Sequence, residues 1–333
     1  MRVRGIHYDV GIDTVDGKVT RPELPGDQMA TELDLIAHQL HANAVRISGR
    51  DAGRMALAAK LAADCGLEVW LSPFLANGTR EDTLALLRES AASGEHLRRE
   101  GVPVTLIVGL EMSGFLKGII PGETVLERLS LLSDPTRLIS AVMALGQDPQ
   151  ETMANFLGEA VDTARSQFGG TVTYGAGLWE QIDWGLFDVV GVDAYRDAQN
   201  RAGFDAHLKA YLAYGKPVVV TEFGCATFRG AAAQGSMAWT VAERGTTPTR
   251  LKAGTVRDES EQARELIDLL RTFDAAGVDG SFIYTLIAPS YPSNADPDLD
   301  LDVASYSLVR TWDNGRTELK PSFQAVASYY GVA

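Results

Sequence analysis

Cysteine is scarce in this chain, with Cys65 and Cys225 the two in 333 residues. Two are too few for a disulfide framework, and they lack the Cys/His spacing of a metal site. Cys65 closes an apolar helical stretch and reads as a small buried hydrophobe. A catalytic Cys225 would need a partner histidine, and only His7 lies at a strand end. Basic residues are also few: 30 Lys and Arg stand against 44 Asp and Glu, for a net charge of −14. Nucleic acid and anionic membrane surfaces call for a basic face, so neither is expected as a partner. A small-molecule substrate, neutral or cationic, fits this charge. No apolar run is long enough to span a bilayer, and no apolar signal core precedes the first strand, so a cytoplasmic protein is expected. There is no G-x-G-x-x-G turn after the first strand, which argues against a dinucleotide fold. No cofactor is implied, and there is no internal repeat or domain linker.

What is present is alternation. Short apolar runs of strand type recur over 4–11, 44–48, 68–74, 104–111, 171–176, 189–195, 217–222 and 281–286. Amphipathic segments lie between them, over 29–40, 54–65, 83–99, 153–168, 206–214 and 259–276. Near-continuously apolar strands separated by helices pair in parallel and are buried on both faces. Eight such units in a chain of this length predict an α/β fold, a single (β/α)8 TIM barrel spanning 1–333. Glycines at 66, 101, 169–170, 215 and 277 are placed to end helices just before strands. Three connections after strands are unusually long: 115–152 after strand four, 225–257 after strand seven and 288–306 after strand eight. The first carries an apolar helical piece over 126–145. All three are expected as lid-like insertions at the C-terminal barrel face, where active sites of this fold are built.

The strand ends therefore supply the candidate site. Strand one delivers His7 and Asp9, two apart and so on one face. Strand two delivers Arg46, strand three Trp70 with Ser72 and Phe74, and strand four Glu111. Strand five gives Tyr174 followed by Trp179 and Glu180, strand six Asp193 and Tyr195, strand seven Glu222 and strand eight Tyr284. Glu111 and Glu222 are the candidate catalytic pair. The aromatics Trp70, Phe74, Tyr174, Trp179, Tyr195 and Tyr284 are expected to line a pocket. His38, His41, His96 and His207 fall on helical or connecting segments and read as surface residues.

Asn43-Ala-Val-Arg46, the Glu closing strand four, Asp193-Ala-Tyr195 and Thr221-Glu222-Phe223-Gly224 carry a resemblance. They are similar to the clan of retaining glycoside hydrolases with catalytic glutamates on strands four and seven. The resemblance implies Glu222 as nucleophile and Glu111 as acid/base, with Arg46 and Tyr195 orienting Glu222. Two positions depart from that pattern. Leu110 stands where the clan has an asparagine that grips the sugar 2-hydroxyl, and Tyr284 stands where it has a tryptophan. The chemistry is consistent with the resemblance: a retaining mechanism needs one ionised and one protonated carboxyl about 5 Å apart. Over nearly its whole length the chain also resembles a group of bacterial barrel proteins called abortive-infection-like. Gly5-Ile-His-Tyr-Asp9, Trp179–Trp184, Gly235–Trp239, Arg257-Asp-Glu259 and Asp298–Asp302 carry that second likeness.

Alternatives stand beside these assignments. Glu180 is a rival acid/base after a short turn. Asp296, Asp298, Asp300 and Asp302 alternate as calcium ligands can, but without the glycine and distal glutamate of an EF-hand loop, so no metal is expected and caps or turn braces are the simpler role. Beside glycoside hydrolysis stand a cyclase, isomerase or lyase using the same carboxylates as acid and base, and a non-catalytic binding or defence protein.

Overall fold

The computed structural model describes residues 1–332. Eight parallel strands close a barrel: β1 Val3–Asp9, β2 Ala44–Gly49, β3 Glu68–Pro73, β4 Val104–Leu110, β5 Thr171–Gly177, β6 Val190–Asp193, β7 Val218–Phe223 and β8 Gly280–Ile283. Each pairs with its sequence neighbours, and β8 closes on β1. The (β/α)8 barrel expected from the alternation is thus the observed fold.

The outer layer departs from eightfold regularity. Helices α1 Gly26–Asp34, α2 Ala52–Asp64 and α3 Arg80–Arg99 follow the first three strands. The segment after β4 holds three short helices, α4 Met112–Phe115, α5 Val125–Leu132 and α6 Pro135–Leu145, before the barrel helix α7 Pro149–Arg165. The single apolar helix expected over 126–145 is therefore two. Asp134 caps α6 by accepting from the Arg137 amide, and Pro135 occupies its first turn, a start signal that also ends α5. Between β5 and β6 there is a single 3-10 turn, Trp184–Leu186, where the alternation predicted a helix. Helices α8 Phe204–Tyr211, α9 Glu259–Ala276 and α10 Pro321–Gly331 complete the layer. The last, and a ribbon pairing Val309–Thr311 with Thr317–Leu319, lie beyond the eight units read from the sequence.

Gly66, Gly101, Gly215 and Gly277 adopt the positive φ expected of residues ending a helix. Gly169–Gly170 does not; a Cβ on Gly170 would lie 2.4 Å from the Phe168 ring, so this pair saves space rather than reversing the chain. The lower barrel interior is plugged by Val3, Ala44, Trp70, Ile107, Val189, Val219 and Phe282. Gly5 makes room there, since a Cβ would sit 2.2 Å from Phe282 Cδ1. With the lower half solid, the open end lies at the C-terminal strand ends. No helix among the described residues is long and apolar enough to cross a membrane. Cys65 and Cys225 are free; Cys225 is buried, while Cys65 is half-buried rather than fully enclosed.

Candidate active site

A cavity of about 390 Å³ opens at the C-terminal ends of the strands, within the size range of small-molecule sites. His7, Asp9, Arg46, Glu111, Tyr195, Glu222 and Tyr284 line it, with Trp179 at the rim. Glu222 ends β7 and is held from two sides. Tyr195 donates its hydroxyl to Oε1 at 2.8 Å, and Arg46 donates to Oε2 at 3.1 Å. Arg46 is itself fixed, because its Nη1 also donates to the Thr221 carbonyl at 2.7 Å. With a donor on each oxygen, Glu222 accepts twice and is fixed in orientation.

Glu111 is treated differently. β4 stops at Leu110, and Glu111 takes the left-handed conformation, φ 40° and ψ 46°. That conformation is costly for a residue with a Cβ, by about 1–3 kcal/mol. It turns the chain at once into α4, with the Glu111 carbonyl accepting from the Gly114 and Phe115 amides. The Glu111 carboxyl makes no side-chain hydrogen bond among the described residues. Loss of bulk water pushes its pKa well above the ordinary range, and the charges of Asp193, Glu222 and Glu180 push the same way against Arg46. The surroundings of Glu111 thus favour its protonated form.

Asp193 sits opposite Glu222 in the β6–β7 register. Its Oδ1 accepts from Thr221 Oγ1 at 2.7 Å, while Oδ2 is buried without a partner. Burial, then the neighbouring Glu222 charge, raise its pKa well above the usual range. His7 packs against Tyr284 with ring centroids 4.8 Å apart, and Nδ1 lies 2.9 Å from Thr285 Oγ1. Burial and then Arg46 lower its pKa well below the ordinary value, so the ring is neutral. Asp9 accepts from the Gly11 and Ile12 amides and braces the turn after β1.

Four of the residues read from the sequence as site residues, Trp70, Tyr174, Glu180 and Asp193, do not line the cavity, and neither does Ser72. Trp70 faces the barrel interior but points downward, its Nε1 donating to Glu68 at 2.8 Å, and it belongs to the lower plug. Tyr174 points out of the barrel. Its neighbour Gly175 faces inward toward Leu110, Thr221 and Asp193, and alternate residues take opposite faces. Glu180 is saturated by the Ser113 amide and hydroxyl, the Tyr174 hydroxyl and the Gly177 amide. It staples the β5 turn to α4, a bracing arrangement rather than a mobile acid.

Sequence reading missed other lining groups. The segment after β1 contributes Ile12, Asp13, Thr14, Val15 and Thr20. Arg244 joins three loops, donating to the Tyr291 hydroxyl, pairing with Asp16 at 3.4 Å and lying over the Trp239 ring at 4.9 Å. The Trp239-containing stretch after β7 was the available signal. The alternating aspartates are not a cation site. Asp296 caps a 3-10 turn, and Asp300 and Asp302 are occupied by Arg257, Arg310 and Lys320. His38, His41, His96 and His207 are on the surface.

No protein-family model matches the chain, and no curated protein is similar to it in sequence. Solved structures are similar in fold. A GH2 β-galacturonidase from Eisenbergiella tayi bound to galacturonate superposes on 100% of this chain and 52% of its own at 15% identity, with a TM-score of 0.59. The apo structure of β-glucosidase 1317 gives 0.58 at 12% identity, covering 100% of this chain and 99% of that one. A GH5_18 protein from Streptomyces cattleya in complex with GlcNAc gives 0.54 at 14%, covering 98% and 80%. This chain therefore spans about half the length of the galacturonidase. At such identities the likeness is one of architecture: the chain has the TIM-barrel fold found in these glycoside hydrolases.

Proposed function

We propose that the protein is a retaining glycosidase acting on neutral glycosides. Glu222 forms a bond to the anomeric carbon as the bond from that carbon to the leaving oxygen breaks. Glu111 gives its proton to that oxygen. Water then attacks the same carbon, Glu111 takes a proton from the water, and Glu222 is released. The observation that supports this reading most is the inequality of the two carboxyls. One accepts hydrogen bonds on both oxygens, and the other is an unpartnered carboxyl whose surroundings push its pKa up. Tyr284 and His7 would floor the sugar, and Arg46 and Tyr195 keep the nucleophile aimed.

The test is a panel of p-nitrophenyl β-glycosides. Hydrolysis with net retention is expected, lost in Glu222→Gln and restored in Glu222→Gly by added azide, which supplies the missing nucleophile. No turnover across the panel by the native protein overturns the proposal.

A further inference from the structure

The cavity has two unlike sides, and Glu111 stands at their border. His7, Arg46, Tyr195, Glu222 and Tyr284 form a polar floor. The other wall is Phe74 from the end of β3, Leu110 ending β4, Phe115, Leu129 and Leu132 from the segment after β4, and Trp179 from the β5 turn, with Ser133 beside them, its hydroxyl donating to the Ser130 carbonyl at 2.9 Å. Apart from Glu111, the described residues that β3, β4, β5 and their following segments contribute to the cavity carry no charge.

This wall is built in advance rather than left to collapse on a ligand. Phe74 and Phe115 meet edge to face with centroids 4.9 Å apart. The buried Arg128 donates to the Gly114 and Gly122 carbonyls and to Asn77 Oδ1, each at 2.8 Å, and so ties the segment carrying Phe115 and Leu129. Trp179 is 48% exposed, yet its Nε1 is held by Ser113 Oγ at 3.0 Å, which keeps the indole at the rim. A rigid apolar surface loses little freedom on binding.

In glycoside cleavage the acid delivers its proton to the leaving oxygen, so the leaving group lies on the acid's side of the sugar. Here that side is the apolar wall. A second sugar placed there would strip water from its hydroxyls against phenyl and isobutyl groups that return no hydrogen bond. We infer that the substrates are glycosides of apolar alcohols, with an aryl or alkyl leaving group against Phe74, Phe115, Leu129 and Leu132. This rests on the glycosidase reading above.

The experiment compares n-hexyl with methyl β-glycosides of glucose, galactose and mannose. The leaving alcohols are alike in basicity, so the ratio of kcat/KM reads contact with the wall. Each methylene buried is worth roughly fourfold, and a hexyl-to-methyl ratio of at least about 30 is expected. Leu129→Ser and Leu132→Ser should each lower that ratio about fivefold. Leu126→Ser, on the exposed outer face of α5, should leave it as it is. Because the ratio is internal to each protein, partial unfolding of a variant does not move it. A ratio near one, or cellobiose or lactose cleaved better than the hexyl glycosides, overturns this inference and leaves the glycosidase reading standing. Hydrolysis of none of these compounds, nor of the p-nitrophenyl panel, overturns both.

Discussion

Two regions of this molecule gather carboxyl groups away from water, and they balance them in opposite ways. Behind the loop after β8, Asp300, Asp302 and Glu259 face Arg257, Arg310 and Lys320. Asp302 and Lys320 are each 1% exposed, 2.9 Å apart, and Lys320 Nζ is further held by Ser305 and Ser307. Every charge there has a partner. At the barrel mouth, Glu111, Glu180, Asp193 and Glu222 lie around Arg46, the guanidinium that acts on Glu111, Asp193 and Glu222. Carboxyls that outnumber cations away from water cannot all ionise, so protons fill the difference. Neutrality reached with fixed cations makes a joint between loops; neutrality reached with protons makes an acid. The same residue type braces loops in one place and, on the mechanism proposed above, transfers protons in the other.

The contrast breaks first at the mouth. Glu222→Gln keeps the shape and the Tyr195 contact but removes the proposed nucleophile, and kcat/KM on an aryl glycoside should fall by at least about 10⁴-fold. Chemical denaturation should show stability little changed. A large loss of stability with activity retained per folded molecule would make Glu222 a second joint. The reverse outcome is expected at Lys320. Lys320→Met takes the buried ammonium from Asp302 Oδ1 and leaves that carboxylate with Arg257 as its one cation; removing one partner of a buried pair costs about 3–5 kcal/mol, and the remaining Arg257 contact puts the loss at the lower end. Its urea midpoint should drop accordingly, while the folded fraction keeps native KM.

Much of this was legible in the sequence, and the failures have a common cause. Strand-type runs at regular spacing gave the barrel, because parallel strands buried on both faces are apolar throughout. Glu222, Arg46 and Tyr195 were readable because they end such runs. Trp70 and Tyr174 were misplaced because chain position does not fix which way a side chain leans or which face it takes. Trp70 points down to Glu68, and Tyr174 takes the outer face that Gly175 leaves to it. Glu180 could be named but not disarmed: its four donors come from Ser113, Tyr174 and Gly177, which meet only in the folded barrel. The split near 133–135 was in the sequence as Asp134-Pro135, a start signal hidden by the apolar residues on either side.

Glu111→Gln sharpens the comparison through pH. The native state holds a proton on Glu111 above the ordinary glutamate range, and the unfolded chain releases it there. The native state therefore binds more protons in that window, and stability falls as pH rises from the unfolded pKa to the raised native one. The glutamine variant carries no such group. Native and variant should be about equally stable near pH 4, and the variant should be the more stable near pH 8, the gap widening by about 1.4 kcal/mol per pH unit between the unfolded and the native pKa. Denaturant midpoints at the two pH values decide it. A variant less stable at both would mean that Glu111 has a cationic partner, as Asp302 does.

The smallest effect tests whether the carboxyls at the mouth act as one group. The charge on Asp193 opposes ionisation of Glu111 more than any other charge, and its own ionisation is opposed by Glu222. Asp193→Asn keeps an acceptor for Thr221 Oγ1, so the fold should be retained, and it removes one negative charge. Ionising Glu111 then becomes easier, and its pKa moves down toward the ordinary range. On the proposed mechanism Glu111 is the acid, so activity on the basic side is lost as it deprotonates. The basic limb of the kcat/KM profile should shift to lower pH, with the rate at the optimum reduced far less than in Glu222→Gln. A limb that stays in place would mean that Asp193 carries its proton throughout and lends Glu111 no charge. The surplus of carboxyls would then be shared by Glu111 and Glu222 alone, a pair of unequal acids rather than a cluster.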